Sequence, residues 1–443
     1  MKLHRVAILV GGGPAPGINA VIGAATIEAI NRGMSVVGIT DGFRWLSARD
    51  FDPHQHTLGL NIQSVGRIHF EGGSILRTSR SNLLDPKTAK GEKAAAPSAE
   101  KVERVLYNLR LMAVDGLITI GGDDTALSAR FVSEASKGEI RVVHVPKTID
   151  NDLPLPQDVP TFGFSTARYI GTLLIKNLMR DSQTTGRWYI CQTMGRTAGW
   201  LALSVGMAAG ATLTLIPAEF PERTTFSHLA DILEGAILKR RVLGRPDGVA
   251  IIAEGLAYRL GDKAELERML GREVPLDAAG HPRLSEVDLS RLLKDEIVAR
   301  FKKRGQDVTL VDHEVGYEMR SADPTPYDMG YCRSLGYFAV QLLLDERYQH
   351  VMVNITNGNL QPIALQDMID PATNRTRTRT VDVRSDSYRV ARAYMIRLER
   401  SDFDSAAMLG RLAEEARMTP EEFRARFESV ARGPAGEACA GGK

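Results

Sequence analysis

The chain has 443 residues, 43% of them hydrophobic and 25% charged, with a formal net charge of +2. That balance fits a globular protein of two or three domains and argues against a nucleic-acid surface or an acidic tail. The 3 cysteines, Cys191, Cys332 and Cys439, form no CxxC pair, which argues against a disulfide framework or a structural zinc and for a reducing compartment. No apolar run reaches the ~18 residues of a membrane span and the first residues lack a signal-peptide core, so no membrane association and a cytoplasmic location are expected.

In chain order, residues 5–10 read as a first strand, closed by the turn Gly11-Gly12-Gly13-Pro14-Ala15-Pro16-Gly17. An alanine-rich helix follows over 18–30, and 34–39 make the next strand. This strand-turn-helix-strand order predicts a parallel α/β sheet with ligands at the carboxyl ends of its strands. The glycine turn fits a dinucleotide fingerprint poorly: two prolines interrupt it, and no acidic residue ends the second strand where a ribose would bind. Residues 85–97 read as an exposed loop and 99–111 as a helix. The apolar run 114–119 is a buried strand, followed by Ile120-Gly121-Gly122-Asp123-Asp124-Thr125 and helical spacing over 126–132. Further strands are expected at 142–145, 186–192, 248–255, 308–311 and 351–355. Residues 258–305 are polar and helical with a turn-rich break at 278–282, and read as an appended insertion. Residues 374–380 alternate Thr and Arg and read as a solvated connection. Thr419-Pro420-Glu421-Glu422 starts a last helix, and 432–443 are expected to be disordered.

Phosphoryl transfer needs a cradle for the donor phosphates, a metal, a base for the attacking hydroxyl and cations for the other charges. The strand ends offer a candidate for each. Gly12 and Gly13, like Gly121 and Gly122, let backbone N–H groups approach a phosphate closely. Adjacent carboxylates would repel that phosphate unless a cation compensates, and Asp123 suits Mg²⁺; an aspartate there can also simply cap the helix. In Thr148-Ile149-Asp150-Asn151-Asp152, one carboxylate can take a proton from a substrate hydroxyl, although such residues also make plain turns. Met194-Gly195-Arg196 sets a guanidinium beside a helix start, Glu254 ends a strand where it could accept sugar hydroxyls, and Tyr317-Glu318-Met319-Arg320 adds another cation. Each alone is more often a surface ion pair. Five strand ends carrying such groups point to one site.

In this order, the glycine turn running into Ala15-Pro16-Gly17-Ile18-Asn19-Ala20, then Gly121-Gly122-Asp123, Pro146-Lys147-Thr148-Ile149-Asp150-Asn151-Asp152, Met194-Gly195-Arg196 and Glu254, resemble the motif set of the phosphofructokinases. The resemblance implies an α/β fold of two Rossmann-like parallel-sheet domains with the active site in the cleft between them. It implies a donor domain over 1–162, with 322–375 returning to it, a sugar-phosphate domain over 163–321 and a C-terminal helical segment over 376–431. It also implies a homodimer or homotetramer, Mg²⁺, and transfer of a phosphoryl group to the 1-hydroxyl of fructose 6-phosphate. Carried over by motif, Asp150 is the proton acceptor, and Asp123 and Asp152 are the metal ligands. Gly12, Gly13, Arg80, Gly122 and Asp124 meet the donor, and Lys147, Asp124 and Arg196 act with Asp150 in the chemistry. Thr148, Ile149, Met194, Gly195, Arg196, Glu254, Tyr317, Glu318, Met319 and Arg320 bind the sugar phosphate. Arg187 matches an arginine that many members lend across a subunit interface.

Two departures stand out. The first turn has Gly13-Pro14 where the family usually has Gly-Gly-Asp, and no arginine occurs between Asp307 and Tyr317, where short bacterial members carry a second interface arginine. The donor follows from Asp124. ATP-using members have glycine there, leaving room for the α-phosphate, whereas a carboxylate adds bulk and like charge. Lys147 replaces the glycine of short ATP-using enzymes. Pyrophosphate is the expected donor, with an ATP-dependent enzyme or a non-catalytic paralogue that binds phosphometabolites as the alternatives. A paralogue without activity should have damaged catalytic positions, and Asp123, Asp150, Asp152 and Arg196 are intact.

Overall fold

The structure, a computed structural model, describes residues 3–85, 88, 95–156, 159–260, 267, 271, 273 and 287–431. The expected break at 278–282 and tail at 432–443 lie outside these residues, as do most of the loop at 85–97 and most of 258–286. Two compact units form: residues 3–167 with Tyr317–Arg379, and residues 168–273, 287–316 and 380–431.

The first unit is built on an eight-stranded sheet. Its centre is β1 (Arg5–Val10), β2 (Ser35–Ile39), β4 (Gly116–Gly121) and β5 (Arg141–Thr148), joined by β11 (Val351–Met352), and these pair in parallel. At the edges, β3 (Thr57–Leu60) and Ile363–Ala364 run antiparallel. Val6 to Val10 and all of β4 are buried on both faces, which is why these strands read as unbroken apolar runs without alternation. Ile18–Asn31 and Asp123–Ser136 are the helices that follow β1 and β4.

β5 outruns the expected 142–145 at its carboxyl end, because Pro146, Lys147 and Thr148 continue the strand. Gly121 pairs with Pro146, and Lys147 and Thr148 pair with Phe162 and Gly163 of β6 (Phe162–Gly163). A proline normally argues against a central strand. Here it falls after the pairing with β11, which ends at His144, and before β6 joins at Lys147, so its missing N–H interrupts no rung on that side.

The second unit has a wholly parallel sheet in the order β10 (Leu310–Val315), β7 (Trp188–Thr193), β9 (Gly248–Ala253), β8 (Leu213–Leu215). The helix Leu289–Lys303 corrects the expectation of an appended insertion over this stretch: Leu289, Leu292, Leu293, Ile297 and Phe301 are buried in the core with Trp188 and Ile190. The charged outer face hid an apolar stripe of ordinary helical spacing. The C-terminal helices join the same core through Phe403, Leu412, Phe423 and Phe427, and Thr419 caps the last of them in a capping box with Glu422. Among the described residues, no helix is long and apolar enough to cross a membrane.

Residues 374–380 are only in part the solvated connection their alternation suggests: Arg377, Thr378 and Thr380 are exposed, whereas the others are half-buried and bonded to the first unit. Asn374 donates to Ala95 O (2.5 Å), Arg375 to Thr88 O (2.9 Å) and Thr376 Oγ1 to Asp123 O (3.3 Å). Side chains of this stretch serve backbone carbonyls far away in the sequence, a use that sequence alternation cannot show.

Candidate active site

The carboxyl ends of β1, β4 and β5 meet at one edge of the first unit's sheet. Gly11 N–H donates to Ile120 O (2.8 Å) and Gly12 N–H to Ser79 O (2.7 Å), so the turn after β1 is held by backbone bonds on both sides. Gly12 adopts φ +83°, a left-handed conformation for which glycine is suited. Thr125 explains two more glycines: a Cβ on either Gly11 or Gly121 would overlap its side chain, so one threonine wedges between the two strand ends. Arg80 directly follows Ser79 and is exposed.

Two cations converge on this turn. Lys147, 3% exposed, donates from Nζ to Gly13 O, and its Nζ lies 3.2 Å from where a Cβ of Gly12 would stand. Arg320 Nη1 lies 3.4 Å from the corresponding position on Gly13. Gly12, Gly13, Lys147 and Arg320 are therefore brought together, and a glycine turn between two cations is an anion site by its chemistry. The Arg320 guanidinium stands 5.4 Å from the ring of Tyr317, which is exposed, while Met319 between them is buried and Glu318 is exposed.

Asp123 and Asp124 open the helix Asp123–Ser136, whose N-cap is Gly122. Neither aspartate is the cap, so their charge faces the helix N-terminus from the first turn. Below them His144 is wholly buried, with Nδ1 2.9 Å from Thr119 Oγ1 and Nε2 3.0 Å from Gly121 O. A carbonyl only accepts, so Nε2 carries the proton and Nδ1 accepts from the threonine. Burial first, and the nearby Lys147 ammonium second, lower the pKa from 6.5 to about 3 against the pull of the Gly121 bond. His144 thus supports the glycine turn as a neutral ring.

The turn after β5 is fixed from two directions. Asp150 N–H donates to Thr148 Oγ1 (3.0 Å), Thr161 Oγ1 to Thr148 O (2.7 Å) and Thr161 N–H to Asn151 Oδ1 (3.0 Å). Asn151 takes φ +56°, which asparagine tolerates better than most residues. From the other direction comes Arg379, bonded along the backbone of 151–159. Ile149 and Asp152 are buried and Asp150 is half-buried.

In the second unit the motif residues also gather at a carboxyl edge. Met194, buried, follows β7 and donates its N–H to Val315 O (3.3 Å). Glu254, the first residue after β9, accepts at Oε1 from Gly195 N–H (3.1 Å) and Arg196 N–H (2.8 Å). Arg196 takes φ +48°, a conformation that costs a non-glycine residue about 1–2 kcal/mol. Its carbonyl lies where a Cβ on Gly255 would be, so the two turns touch. Arg187 is not part of this gathering. It precedes β7 at the amino end of the sheet, donating to Thr185 Oγ1 (2.7 Å) and lying 3.7 Å from Asp181.

The sequence model of the phosphofructokinase family matches residues 5–343. The chain belongs to the phosphofructokinases. It is 51% identical over 427 residues to the "Pyrophosphate--fructose 6-phosphate 1-phosphotransferase" of Thermotoga maritima, covering 96% of this chain and 98% of that one. It is 43% identical over 435 residues to the protein of the same name from Naegleria fowleri, covering 96% of each. The solved pyrophosphate-dependent phosphofructokinase from Nitrosospira multiformis aligns with a TM-score of 0.64 over 88% of this chain and 90% of that chain, at 15% identity, a likeness of fold.

Within this phosphofructokinase, His144, Thr125 and Arg379 are the side chains around the motifs that sequence reasoning missed. Only His144 left a trace, as the one polar letter inside the strand run Val142-Val143-His144-Val145.

Proposed function

We propose that the chain transfers a phosphoryl group reversibly from pyrophosphate to the 1-hydroxyl of D-fructose 6-phosphate. The products are fructose 1,6-bisphosphate and inorganic phosphate, a step of glycolysis and gluconeogenesis. The observation that carries this reading is the near full-length likeness, at 51% and 43% identity, to two proteins named for that reaction. Asp124, in the first turn of Asp123–Ser136, supports the choice of donor, since ATP-using members have glycine at this motif position and a carboxylate adds bulk and like charge against a nucleotide's α-phosphate.

The roles are those that the phosphofructokinase motifs imply, and the geometry is compatible with them. Gly12 and Gly13, where no side chain keeps a ligand off the backbone, line the donor site together with Gly122 and Arg80. Asp150, on the turn braced by Thr148 and Thr161, accepts the proton of the 1-hydroxyl as its oxygen bonds to phosphorus and the bridging P–O bond of pyrophosphate breaks. Lys147 sets its ammonium against the departing phosphate, so the charge appears beside a cation already in place. Met194, Gly195, Arg196 and Glu254 bind the sugar phosphate, with Thr148, Ile149 and Tyr317 to Arg320. Arg187, remote along β7 from Arg196, serves a neighbouring subunit in a homodimer or homotetramer.

Magnesium needs one or two carboxylates together with phosphate oxygens and water, and the two aspartates at the head of Asp123–Ser136 supply that kind of donor beside the glycine turn. Among the described residues no three His, Cys, Asp or Glu side chains form a cage of their own. Asp123 would hold the ion, with Asp152 as the second carboxylate, and the bound ion would offset the charge of the donor phosphates. The substrates are small phosphorylated molecules, with neither nucleic acid nor membrane, and the location is cytoplasmic.

The test is turnover of fructose 6-phosphate with Mg²⁺ and either pyrophosphate or ATP. Faster turnover with pyrophosphate, and a gain of ATP use in Asp124→Gly, are expected. An unmodified protein that prefers ATP would overturn the donor.

A further inference from the structure

Arg379 lies outside every phosphofructokinase motif, in a stretch whose alternation of Thr and Arg marks no site. Its guanidinium nevertheless makes several bonds to one loop. Nε donates to Asn151 O (3.2 Å), and Nη1 to Leu155 O (3.3 Å), Pro156 O (2.8 Å) and Val159 O (3.0 Å). Nη2 donates to Asn151 Oδ1, and the backbone N–H of Arg379 to Asp152 O (2.8 Å). Burial lowers the pKa of this guanidinium while the Asp152 carboxylate raises it, so the cation sits in a desolvated place beside an acid of the loop.

Three of these bonds fall on the two residues after Asp150. Asn151 is in the left-handed region at φ +56°, with its side-chain oxygen shared between Thr161 N–H and Arg379. Released from those bonds, an asparagine relaxes easily to negative φ, and that rotation swings the peptide joining it to Asp150. A planar fork can serve carbonyls spread around its rim, whereas an ammonium is a compact point charge and cannot span them.

We propose that Arg379 is a positioning residue of the reaction: by clasping 151–159 it holds Asn151 left-handed and thereby aims the Asp150 carboxylate at the sugar hydroxyl. This rests on the reading of Asp150 as proton acceptor. Arg379 touches neither substrate, and its effect is carried entirely by the backbone of the loop.

Arg379→Ala and Arg379→Lys, assayed in the full chain with pyrophosphate, Mg²⁺ and fructose 6-phosphate, decide the matter. Misplacing a catalytic group by an ångström costs about 10²-fold in rate. A fall in kcat of about that size is expected for both, with KM for both substrates near the unmodified value. Guanidinium chloride at millimolar concentration should restore kcat in Arg379→Ala and leave Asp150→Asn unchanged. Unaltered kcat in Arg379→Ala overturns the inference. So does a loss that guanidinium does not restore, or one confined to KM. If Arg379→Ala does not fold, Arg379→Lys decides alone: depressed kcat at unchanged KM supports the clasp, and full kcat overturns it. Asp150→Asn separates the two claims, because full kcat there sinks the proton acceptor itself, whereas a dead Asp150→Asn beside a fully active Arg379→Ala sinks only the clasp.

Discussion

The turn after β1 and the turn after β7 stand at equivalent places in their sheets and are held by different means. In the first unit, side chains converge from separate elements: Thr125 wedges between Gly11 and Gly121, Lys147 reaches Gly13 O, and Arg320 stands behind it. In the second, one carboxylate oxygen of Glu254 holds two successive N–H groups and keeps Arg196 left-handed. The difference lies in what a deletion removes. In the first unit a lost side chain takes away charge while the backbone turn, bonded to Ile120 and Ser79, keeps its shape. In the second it takes away the shape.

The largest effect should come from Asp150→Asn, which keeps the outline of the side chain and deletes the proton acceptor. A general base is worth about 10²- to 10⁴-fold, so kcat should fall by at least 10²-fold while KM for fructose 6-phosphate moves little. Steady-state kinetics read both, and near-normal kcat would falsify the assignment. Next comes Lys147→Met, which keeps the buried stem and removes the ammonium. Losing one preorganised donor costs about 10²-fold, so pyrophosphate turnover should drop by that much with the melting temperature little changed. A variant that loses stability instead would mean that Lys147 shapes the turn, and the contrast between the units would fail.

His144 sharpens the same contrast through pH. Its pKa is depressed in the folded protein, from 6.5 to about 3, so its contribution to stability is complete above 6.5 and is lost as pH falls from 6.5 towards 3. Over that window each pH unit costs up to about 1.4 kcal/mol. Melting temperatures followed from pH 7 to pH 4 should therefore drop more steeply in the unmodified protein than in His144→Gln, which can still bridge Thr119 and Gly121 without titrating. Parallel curves would remove His144 from the account.

How much of this was legible in the sequence depends on how locally each feature is determined. β1 and the helix Ala99–Leu111 appear at the bounds their apolar patterns predicted, and Thr419 caps its helix as Thr-Pro-Glu-Glu implied. The glycine turns could be placed because a strand followed by glycines and a helix is a pattern within a dozen residues. Thr125, His144 and Arg379 were not legible. Thr125 matters because β1 and β4 end side by side, and Arg379 because a return of the chain brings it to 151–159, more than two hundred residues earlier. The helix Leu289–Lys303 was misjudged for a different reason: it carries as many charged as apolar residues, and composition outweighed spacing.

Glu254→Gln should have the smallest effect and tests the second unit directly. An amide oxygen can still accept from Gly195 and Arg196, so the turn keeps a partner, but the bonds lose their charge assistance. Hydrogen bonds to charged groups contribute about 1.5–3 kcal/mol against about 1 for neutral ones. The expected loss is thus on the order of 1 kcal/mol, or about fivefold in kcat/KM for fructose 6-phosphate, carried by KM. Glu254→Ala should cost far more, because it leaves two N–H groups without their acceptor and Arg196 unsupported at φ +48°. That ratio between Gln and Ala is the signature of a carboxylate that works by holding backbone. If Gln proved as damaging as Ala, the negative charge itself would be what matters, and the second unit would operate by the same principle as the first.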